Sequence, residues 1–395
     1  MEVENRFAIL LYLELISYNY SKRYIINKTI IEKTAVKVKA INKVHQEAGK
    51  GGYIVQNFIY GVDLGWVSQL ESQGVRWIDR DMREADPIVA LKDMGANAVR
   101  LRVFVNPPKE AYWRKPEKEF EGKRIGGETC MLGFCDKDSV LEMAARVKKQ
   151  DMKLMIDIHY SDHFADPVYQ DIPKEWENDS FEEMKERVAQ YTRDILELLT
   201  SHDIYPDWVQ VGNEIDSGIL LPMGSFEDNP EQLVAFLNEG YRAVKACCPE
   251  SRVVTHINCG SDYQRCTRFF DTFFDLGGQT DILGFSYYPY WVHMKHDERK
   301  LHDDMTKLAQ KYHRPLMLTE IGGPESEEEE TYQLLVSAAR AIKTVPDGQG
   351  LGIFFWEPEV GAELLPDHYI LGAARLVKEN CLQFTKAMSA YADSQ

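Results

Sequence analysis

The sequence predicts an α/β protein, a single (β/α)8 TIM barrel that follows an N-terminal extension. Eight short apolar runs with strand character follow residue 53, and segments with helical periodicity separate them. Eight alternating strands and helices joined by right-handed crossovers close into a parallel barrel. The 395 residues are 44% hydrophobic, so the chain can bury the large core that such a barrel needs.

The predicted strands lie at 59–64, 98–104, 153–159, 207–212, 252–258, 281–287, 315–321 and 351–356. The run 140–147 is typical of the helices between them, because its apolar residues recur at i, i+3, i+4 and i+7. The two longest gaps leave room for extended loops at 106–137 and 160–179.

The distribution of charge along the sequence predicts a domain boundary and argues against two classes of partner. The formal charge is −17, and residues 1–52 carry nine Lys or Arg against five Asp or Glu, which leaves −21 for residues 53–395. We therefore predict an extension at 1–52, helical or poorly ordered, and a barrel domain at 53–395. A strongly acidic domain argues against nucleic-acid and membrane partners, and the oligomeric state is left open.

The cysteines and the N-terminus predict the compartment. The seven cysteines form no Cys-x-x-Cys pair, and the first residues lack the basic start and cleavage site of a secretory signal. We expect reduced thiols and a cytoplasmic protein. An extracellular protein is the alternative, if the N-terminus hides an export signal.

Each predicted strand ends on a side chain that can carry charge or form a hydrogen bond. The eight residues are Asp63, Arg102, His159, Glu214, His256, Tyr287, Glu320 and Trp356. The carboxyl ends of barrel strands meet at one face, where they line a site. One such residue could be structural, but eight together predict a functional site.

Two carboxylates at strand ends carry the predicted chemistry. Glu214 and Glu320 end apolar strands, where an unpaired buried carboxylate is costly. The fourth and seventh strands face each other across an eight-stranded barrel, so these side chains converge over its mouth. A pair about 5–5.5 Å apart performs retaining glycoside hydrolysis, whereas a wider pair inverts the configuration.

The neighbours of the two glutamates predict different roles. Arg100 and Arg102 alternate with apolar residues on the second strand, and a guanidinium beside Glu320 would keep that carboxylate ionised. Glu214 has mainly Asn213 and apolar neighbours, which favour the protonated form. We predict Glu214 as the acid/base and Glu320 as the nucleophile.

A series of motifs in chain order resembles glycoside hydrolase family 53, the endo-β-1,4-galactanases, in the clan of (β/α)8 retaining glycosidases. The motifs are GVD at 61–63, VRLRVFVNP at 99–107, DIHYSD at 157–162, ADP at 165–167, VQVGNEI at 209–215, GFSYYP at 284–289 and FWEP at 355–358. They span nearly the whole predicted barrel.

The resemblance implies a catalytic domain with Glu214 as proton donor and Glu320 as nucleophile, and it places Asn213 on the sugar 2-hydroxyl. It also implies that the subsites are lined by Asp63, Arg102, His159, His256, Tyr287 and Trp356. We add Arg100 and Asp166 to these predicted substrate-binding residues.

The chain departs from the family where relatives usually carry Trp. His163-Phe164, Leu221 and Ser261 stand at those positions, in the loops after the third, fourth and fifth strands. Aromatic faces stack on pyranose rings, so a weaker hold on a long polymer is expected.

The expected substrate is β-galactan, arabinogalactan or derived galacto-oligosaccharides. The segment 357–371 lacks the long loop that holds calcium in some relatives, so no cofactor is expected to be required and calcium has no support.

Other classes of function are weaker. Asp157, His159, Asp162 and His163 offer zinc-ligand types, but a zinc site leaves the two glutamates without a role. The acidic run 325–330 suits a helix N-terminus and solvent. We therefore predict no metal ligands. The alternatives left open are a clan-related β-1,4-glycanase with another sugar specificity and a non-hydrolytic carbohydrate-binding barrel.

Overall fold

A closed barrel of eight parallel strands forms the centre of the computed structural model, which describes residues 58–79, 81–120 and 122–395. The strands are β1 Ile59–Asp63, β2 Ala98–Val103, β3 Lys153–Ile158, β4 Trp208–Val211, β5 Arg252–Ile257, β6 Ile282–Tyr287, β7 Leu316–Ile321 and β8 Gly350–Phe355. Each strand pairs with its sequence neighbours, and β8 closes on β1. The predicted (β/α)8 barrel is confirmed, whereas the predicted extension at 1–52 lies outside the described residues.

Helices follow the strands and cover the barrel. They are α1 Val67–Ser72, α2 Pro87–Asp93, α3 Lys137–Lys149, α4 Phe181–Thr200, α5 Pro230–Cys247, α6 Tyr263–Asp275, α7 Glu298–Tyr312, α8 Glu328–Lys343 and α9 Ala390–Asp393. The apolar positions in the run 140–147 of α3 are buried, as its periodicity predicts. A capping box of Ser180 and Glu183 begins α4, where it satisfies backbone amides of the first turn.

The amino-terminal half of the barrel interior is filled by apolar side chains. They are Ile59, Ala98, Met155, Trp208, Val254, Ile282, Met317, Leu351 and Phe354. The strands are buried on both faces, because helices cover their outer side. Among the described residues, the polar part of the barrel interior therefore lies at the carboxyl ends of the strands.

Short strands and turns build the loops. Hairpins pair Tyr112–Arg114 with Thr129–Met131, Lys118–Phe120 with Lys123–Ile125, and Gly218–Ile219 with Gly224–Ser225. A four-stranded sheet contains Ala374–Lys378, Cys381–Phe384, Arg76–Ile78 and Glu84–Ala85. Single 3-10 turns lie at Lys174–Trp176, Ile215–Ser217, Pro346–Gly348, Ala362–Leu364 and Lys386–Ser389. The predicted long loop after β2 thus holds two of the hairpins.

A register shift between β6 and β7 aims one of the predicted catalytic residues. Phe285 pairs with Leu318 but Ser286 pairs with Glu320, so β7 contains one extra residue at this point. Bulges of this kind re-aim side chains near active sites. The shift brings Glu320 next to Ser286.

Two further observations concern the described residues as a whole. None of their helices combines the length and the hydropathy that a membrane span requires. All seven cysteines are free thiols.

Candidate active site

Glu214 and Glu320 face each other at the open end of the barrel. Glu320 belongs to β7, and Glu214 lies three residues after the end of β4. One carboxylate oxygen of Glu214 lies within 4.8 Å of one carboxylate oxygen of Glu320. The convergence that the strand order predicts is therefore present.

Glu214 has a left-handed backbone, with φ 48° and ψ 52°. Such conformations cost on the order of 1–3 kcal/mol in a residue other than glycine and persist where the surroundings fix them. Here Gln170 Nε2 donates to the carbonyl oxygens of Asn213 at 2.8 Å and of Glu214 at 3.2 Å. These contacts hold the turn that follows β4 and carries the carboxylate.

The carboxylate of Glu320 accepts two hydrogen bonds. Arg100 Nη2 donates to Oε1 at 2.6 Å, and the Tyr288 hydroxyl donates to Oε2 at 3.2 Å. Burial raises the pKa of Glu320, whereas the charge of Arg100 and its hydrogen bond oppose that rise. The guanidinium therefore favours the ionised form of Glu320.

Glu214 has a neutral partner instead. The Ser286 hydroxyl oxygen lies 2.6 Å from Glu214 Oε1. Burial, followed by the charge of Glu320, raises the pKa of Glu214 well above its ordinary value. Of the two carboxyl groups, Glu214 is therefore more favoured than Glu320 to hold a proton.

The hydrogen bonds beyond Ser286 agree with a protonated Glu214. His256 Nδ1 lies 2.9 Å from Asn213 Oδ1, and its Nε2 lies 2.8 Å from Ser286 Oγ. Burial lowers the pKa of His256 well below its ordinary value, so the ring holds a single proton. Because Asn213 Oδ1 can only accept, that proton is on Nδ1, and Nε2 accepts from the Ser286 hydroxyl. Ser286 Oγ is then free to accept a hydrogen bond from protonated Glu214.

Arg100 connects Glu320 to the strands beneath it. Its Nε donates to Asp63 Oδ2 at 2.8 Å, and its Nη1 donates to Gln210 Oε1 at 3.0 Å. Asp157 Oδ2 lies 3.7 Å from Nη1. With 1% of its surface exposed, Arg100 supports the carboxylate of Glu320 and does not reach a ligand directly.

A cavity of about 790 Å³ opens above the two glutamates. Aromatic side chains supply much of its lining, namely Trp66, Phe164, Tyr169, Tyr288, Trp291, Trp356 and Tyr369. Four of the predicted substrate-binding residues also line it, namely His159, Asp166, Asn213 and Trp356. Aromatic faces beside a few convergent polar groups are typical of small-molecule sites and suit pyranose rings.

Five predicted substrate-binding side chains lie behind this lining. They are Asp63, Arg100, Arg102, His256 and Tyr287. Asp63 accepts a hydrogen bond from Arg100, and His256 is hydrogen-bonded to Asn213 and Ser286. Arg102 pairs with Glu357 and donates from Nη2 to the Leu132 carbonyl oxygen at 2.8 Å. Tyr287 is directed to the helix side, where its hydroxyl lies 3.0 Å from His296 Nδ1. Each of these five side chains forms a hydrogen bond or an ion pair within the protein, and its contact with a substrate stays a prediction.

Sequence reasoning missed Tyr288 and Gln210. Side chains alternate along a strand, so Ser286 and Tyr288 share the inner face while Tyr287 faces outward. That alternation was a usable signal for Tyr288. Gln210 lies between two valines of β4. A polar amide in an otherwise apolar strand could have identified this residue from the sequence.

One group of side chains in the described part of the chain has converging metal-ligand atoms. It consists of Glu214, His256 and Glu320. Both ring nitrogens of His256 already have hydrogen-bonding partners in Asn213 and Ser286. The arrangement therefore fits an acid–base pair better than a metal centre.

Known proteins resemble this chain over most of its length. The sequence profile of glycosyl hydrolase family 53 matches residues 59–388. A Niallia circulans protein from the bgaB 5′ region is 32% identical in an alignment 332 positions long that covers 76% of this chain and 83% of the relative. A Cellvibrio japonicus arabinogalactan endo-β-1,4-galactanase is 28% identical in an alignment 359 positions long that covers 84% of this chain and 86% of the relative. The solved catalytic domain of an Ignisphaera aggregans family 53 protein superposes with a TM-score of 0.71 at 25% identity, covering 87% of this chain and 98% of that domain. Because the profile covers most of the sequence, this chain belongs to glycosyl hydrolase family 53.

Proposed function

We propose that this enzyme hydrolyses β-1,4-galactosidic bonds with retention of anomeric configuration. The observation that carries the proposal is the short separation of Glu214 and Glu320, within 4.8 Å between one oxygen of each. Retaining enzymes have carboxyl groups about 5–5.5 Å apart, whereas inverting enzymes need about 6.5–9.5 Å to admit a water molecule. The galactan specificity is supported by the relative from Cellvibrio japonicus that is named an arabinogalactan endo-β-1,4-galactanase.

In the first step, the Glu320 carboxylate attacks the anomeric carbon, and the glycosidic C–O bond breaks. Glu214 transfers its proton to the leaving oxygen, which departs as a hydroxyl group. A glycosyl ester of Glu320 and an ionised Glu214 result. Arg100 and Tyr288 direct and stabilise the attacking carboxylate.

In the second step, Glu214 accepts a proton from water while the water oxygen attacks the anomeric carbon. The ester bond to Glu320 breaks, and the sugar leaves with its original configuration. The Ser286 hydroxyl can turn toward ionised Glu214 between the two steps, since it lies 2.6 Å from Oε1. The water molecule supplies the proton that restores Glu214, so the protons balance over the two steps.

The test is product analysis by proton NMR on β-1,4-galactan, β-mannan and xylan in parallel. We expect cleavage of galactan, with the β-anomer of the new reducing end appearing before the α-anomer. An initial α-anomer would contradict the retaining mechanism. Release from mannan alone would contradict the sugar specificity and leave the mechanism intact.

The roles of the two glutamates can be tested separately. E214A should lose about 10²–10⁴-fold in kcat on galactan, the usual contribution of general acid–base catalysis. With an activated aryl galactoside and azide, E214A should form the β-galactosyl azide, whereas E320G should form the α-azide. The opposite stereochemistry would exchange the two assignments.

A shorter substrate is a second candidate for the same activity. The loops after β3, β4 and β5 carry His163-Phe164, Leu221 and Ser261 where relatives usually carry Trp. His163 stacks on Trp113 with ring centroids 3.8 Å apart, so one of its faces is covered. Rates per bond on galactotetraose and on galactan distinguish the two substrates, and faster cleavage of the polymer would exclude a preference for oligosaccharides.

A further inference from the structure

A buried ionic cluster lies behind the aromatic lining of the cavity and takes no part in the chemistry above. It consists of Arg102, Glu357 and Glu359, which we call the Arg102 cluster. Arg102 Nη1 pairs with Glu357 Oε1. Both glutamates are 0% exposed, so water contributes nothing to their stabilisation.

The cluster contains two carboxyl groups and one guanidinium. If both carboxyl groups were ionised, a net negative charge would be enclosed without solvent, which is strongly unfavourable. Burial and the adjacent charge of Glu357 raise the pKa of Glu359 well above its ordinary value. Burial therefore favours a proton on Glu359, and the guanidinium of Arg102 pairs with Glu357.

The two carboxyl groups hold the chain segment that bears Trp66. The Gly65 amide donates to both carboxylate oxygens of Glu357 at 3.1 Å, and the Trp66 amide donates to Glu359 Oε1 at 3.1 Å. A Cβ atom on Gly65 would lie 2.1 Å from Arg102 Nη1, so a larger residue at this position would have to displace the guanidinium. The loop after β1 is thereby fixed to the loop after β8.

The guanidinium also supports the aromatic rings. Its central carbon lies 5.2 Å from the ring centroid of Trp66 and 4.8 Å from that of Phe164, within the range of cation–π attraction. Trp66 contacts Trp356 edge-to-face with centroids 5.3 Å apart, and Trp356 directly precedes Glu357. All three rings line the cavity.

We propose that Arg102, Glu357 and Glu359 act as one positioning unit that sets the rings of Trp66 and Trp356 for sugar binding. Glu359 is a positioning residue in this unit, since its carboxyl group contacts the Trp66 backbone and no ligand. The identity of the sugar in this inference rests on the proposed function, but the placement of the rings does not.

The test compares E359L with E359Q on galactotetraose. Gln keeps an acceptor for the Trp66 amide and gains an amide donor toward Glu357, so E359Q should have a KM within about twofold of the wild type. Leu removes both contacts at similar volume, so E359L should raise KM about tenfold. Its kcat should change little, since the two catalytic glutamates are untouched.

The matched control is D281A at the amino-terminal face of the barrel. Asp281 Oδ2 likewise accepts a backbone hydrogen bond, from Val253 at 2.8 Å, and pairs with Lys245 at 2.7 Å. D281A should lower the Tm without changing KM. If E359L also lowers only the Tm, or if E359Q raises KM as much as E359L, the positioning role is rejected.

Near-UV circular dichroism keeps this test independent of the substrate. The edge-to-face contact of Trp66 and Trp356 should give a tryptophan signal that E359Q retains and E359L loses. If the wild type cleaves no galactan, the proposed function fails while this comparison still decides the inference. An unchanged signal in folded E359L would overturn it.

Discussion

Arg100 donates from Nη2 to Oε1 of Glu320 over 2.6 Å, in a setting where the guanidinium is almost completely buried. Charge-assisted hydrogen bonds of this kind are short and are poorly screened by salt away from solvent. Because Arg100 is also held by Asp63 and Gln210, its position relative to Glu320 is fixed before a ligand arrives. The pair explains how a buried carboxylate can stay ionised, as the proposed role of Glu320 requires.

R100K should lower kcat on galactan about 50-fold, because it removes hydrogen bonds to a charged group worth roughly 1.5–3 kcal/mol. Arg100 opposes the burial effect on the pKa of Glu320, so its loss raises that pKa. Glu320 must be ionised to attack, and the acidic limb of the kcat/KM profile should therefore move to higher pH. R314K is the control, since Arg314 donates to the Thr280 carbonyl away from the cavity. An acidic limb that stays in place would contradict this role of Arg100.

S286A should move the alkaline limb of the pH profile of kcat/KM. The Ser286 hydroxyl donates to Glu214 when that carboxylate is ionised, and a hydrogen bond to a charged acceptor is stronger than one to a neutral carboxyl group. This contact therefore lowers the pKa of Glu214, and its removal raises that pKa further. Glu214 must be protonated to act as the acid, and activity should therefore persist to higher pH on the alkaline side. S139A, which removes a hydroxyl contact to Asp136 in the first turn of α3, should leave both limbs unchanged. A shift of the alkaline limb to lower pH would contradict the hydrogen bond from Ser286 to ionised Glu214.

Tyr288 and Tyr287 form a matched pair of variants. Y288F removes the hydroxyl that donates to Glu320 Oε2 and should lower kcat about tenfold, as expected for one hydrogen bond to a charged acceptor. Y287F removes a contact to His296 on the helix side and should mainly lower the Tm. Steady-state kinetics and thermal unfolding of both variants check this difference. Equal loss of kcat in the two variants would show that the hydroxyl of Tyr288 has no special role.

Trp291 offers a test of sugar stacking at the rim of the cavity. It lines the cavity with 50% of its surface exposed, and its ring centroid lies 6.4 Å from that of Tyr369. W291A should raise KM on galactan about fivefold, the loss expected for one aromatic contact of roughly 1 kcal/mol. Tyr205, 57% exposed in the segment that precedes β4, provides the control Y205A. A KM that responds equally to both substitutions would indicate a nonspecific effect.

Removal of divalent cations should leave the rate on galactan unchanged. His256 uses both ring nitrogens in hydrogen bonds, so the group it forms with Glu214 and Glu320 has no free imidazole to offer. Activity after dialysis against EDTA, with and without added calcium or zinc, checks this expectation. Loss of activity that calcium restores would reveal a metal requirement that these residues do not predict.

The sequence by itself determined the barrel and the two glutamates at its mouth. Apolar runs separated by amphipathic helices suffice for this, because strand period and right-handed crossovers leave few ways to pack eight such units. Glu214 and Glu320 were identifiable because charged residues are costly at the ends of buried strands. The family resemblance agreed with the same two positions.

Only the tertiary structure decided which polar residues face the cavity. The register shift beside Ser286 sets the direction of Glu320, and Tyr287 faces outward while the Tyr288 hydroxyl contacts Glu320. Arg102 has the same alternation as Arg100 on β2 but meets Glu357 instead of Glu320. These contacts depend on which side chains from distant segments of the chain come together in the folded protein. A local sequence pattern does not contain that information.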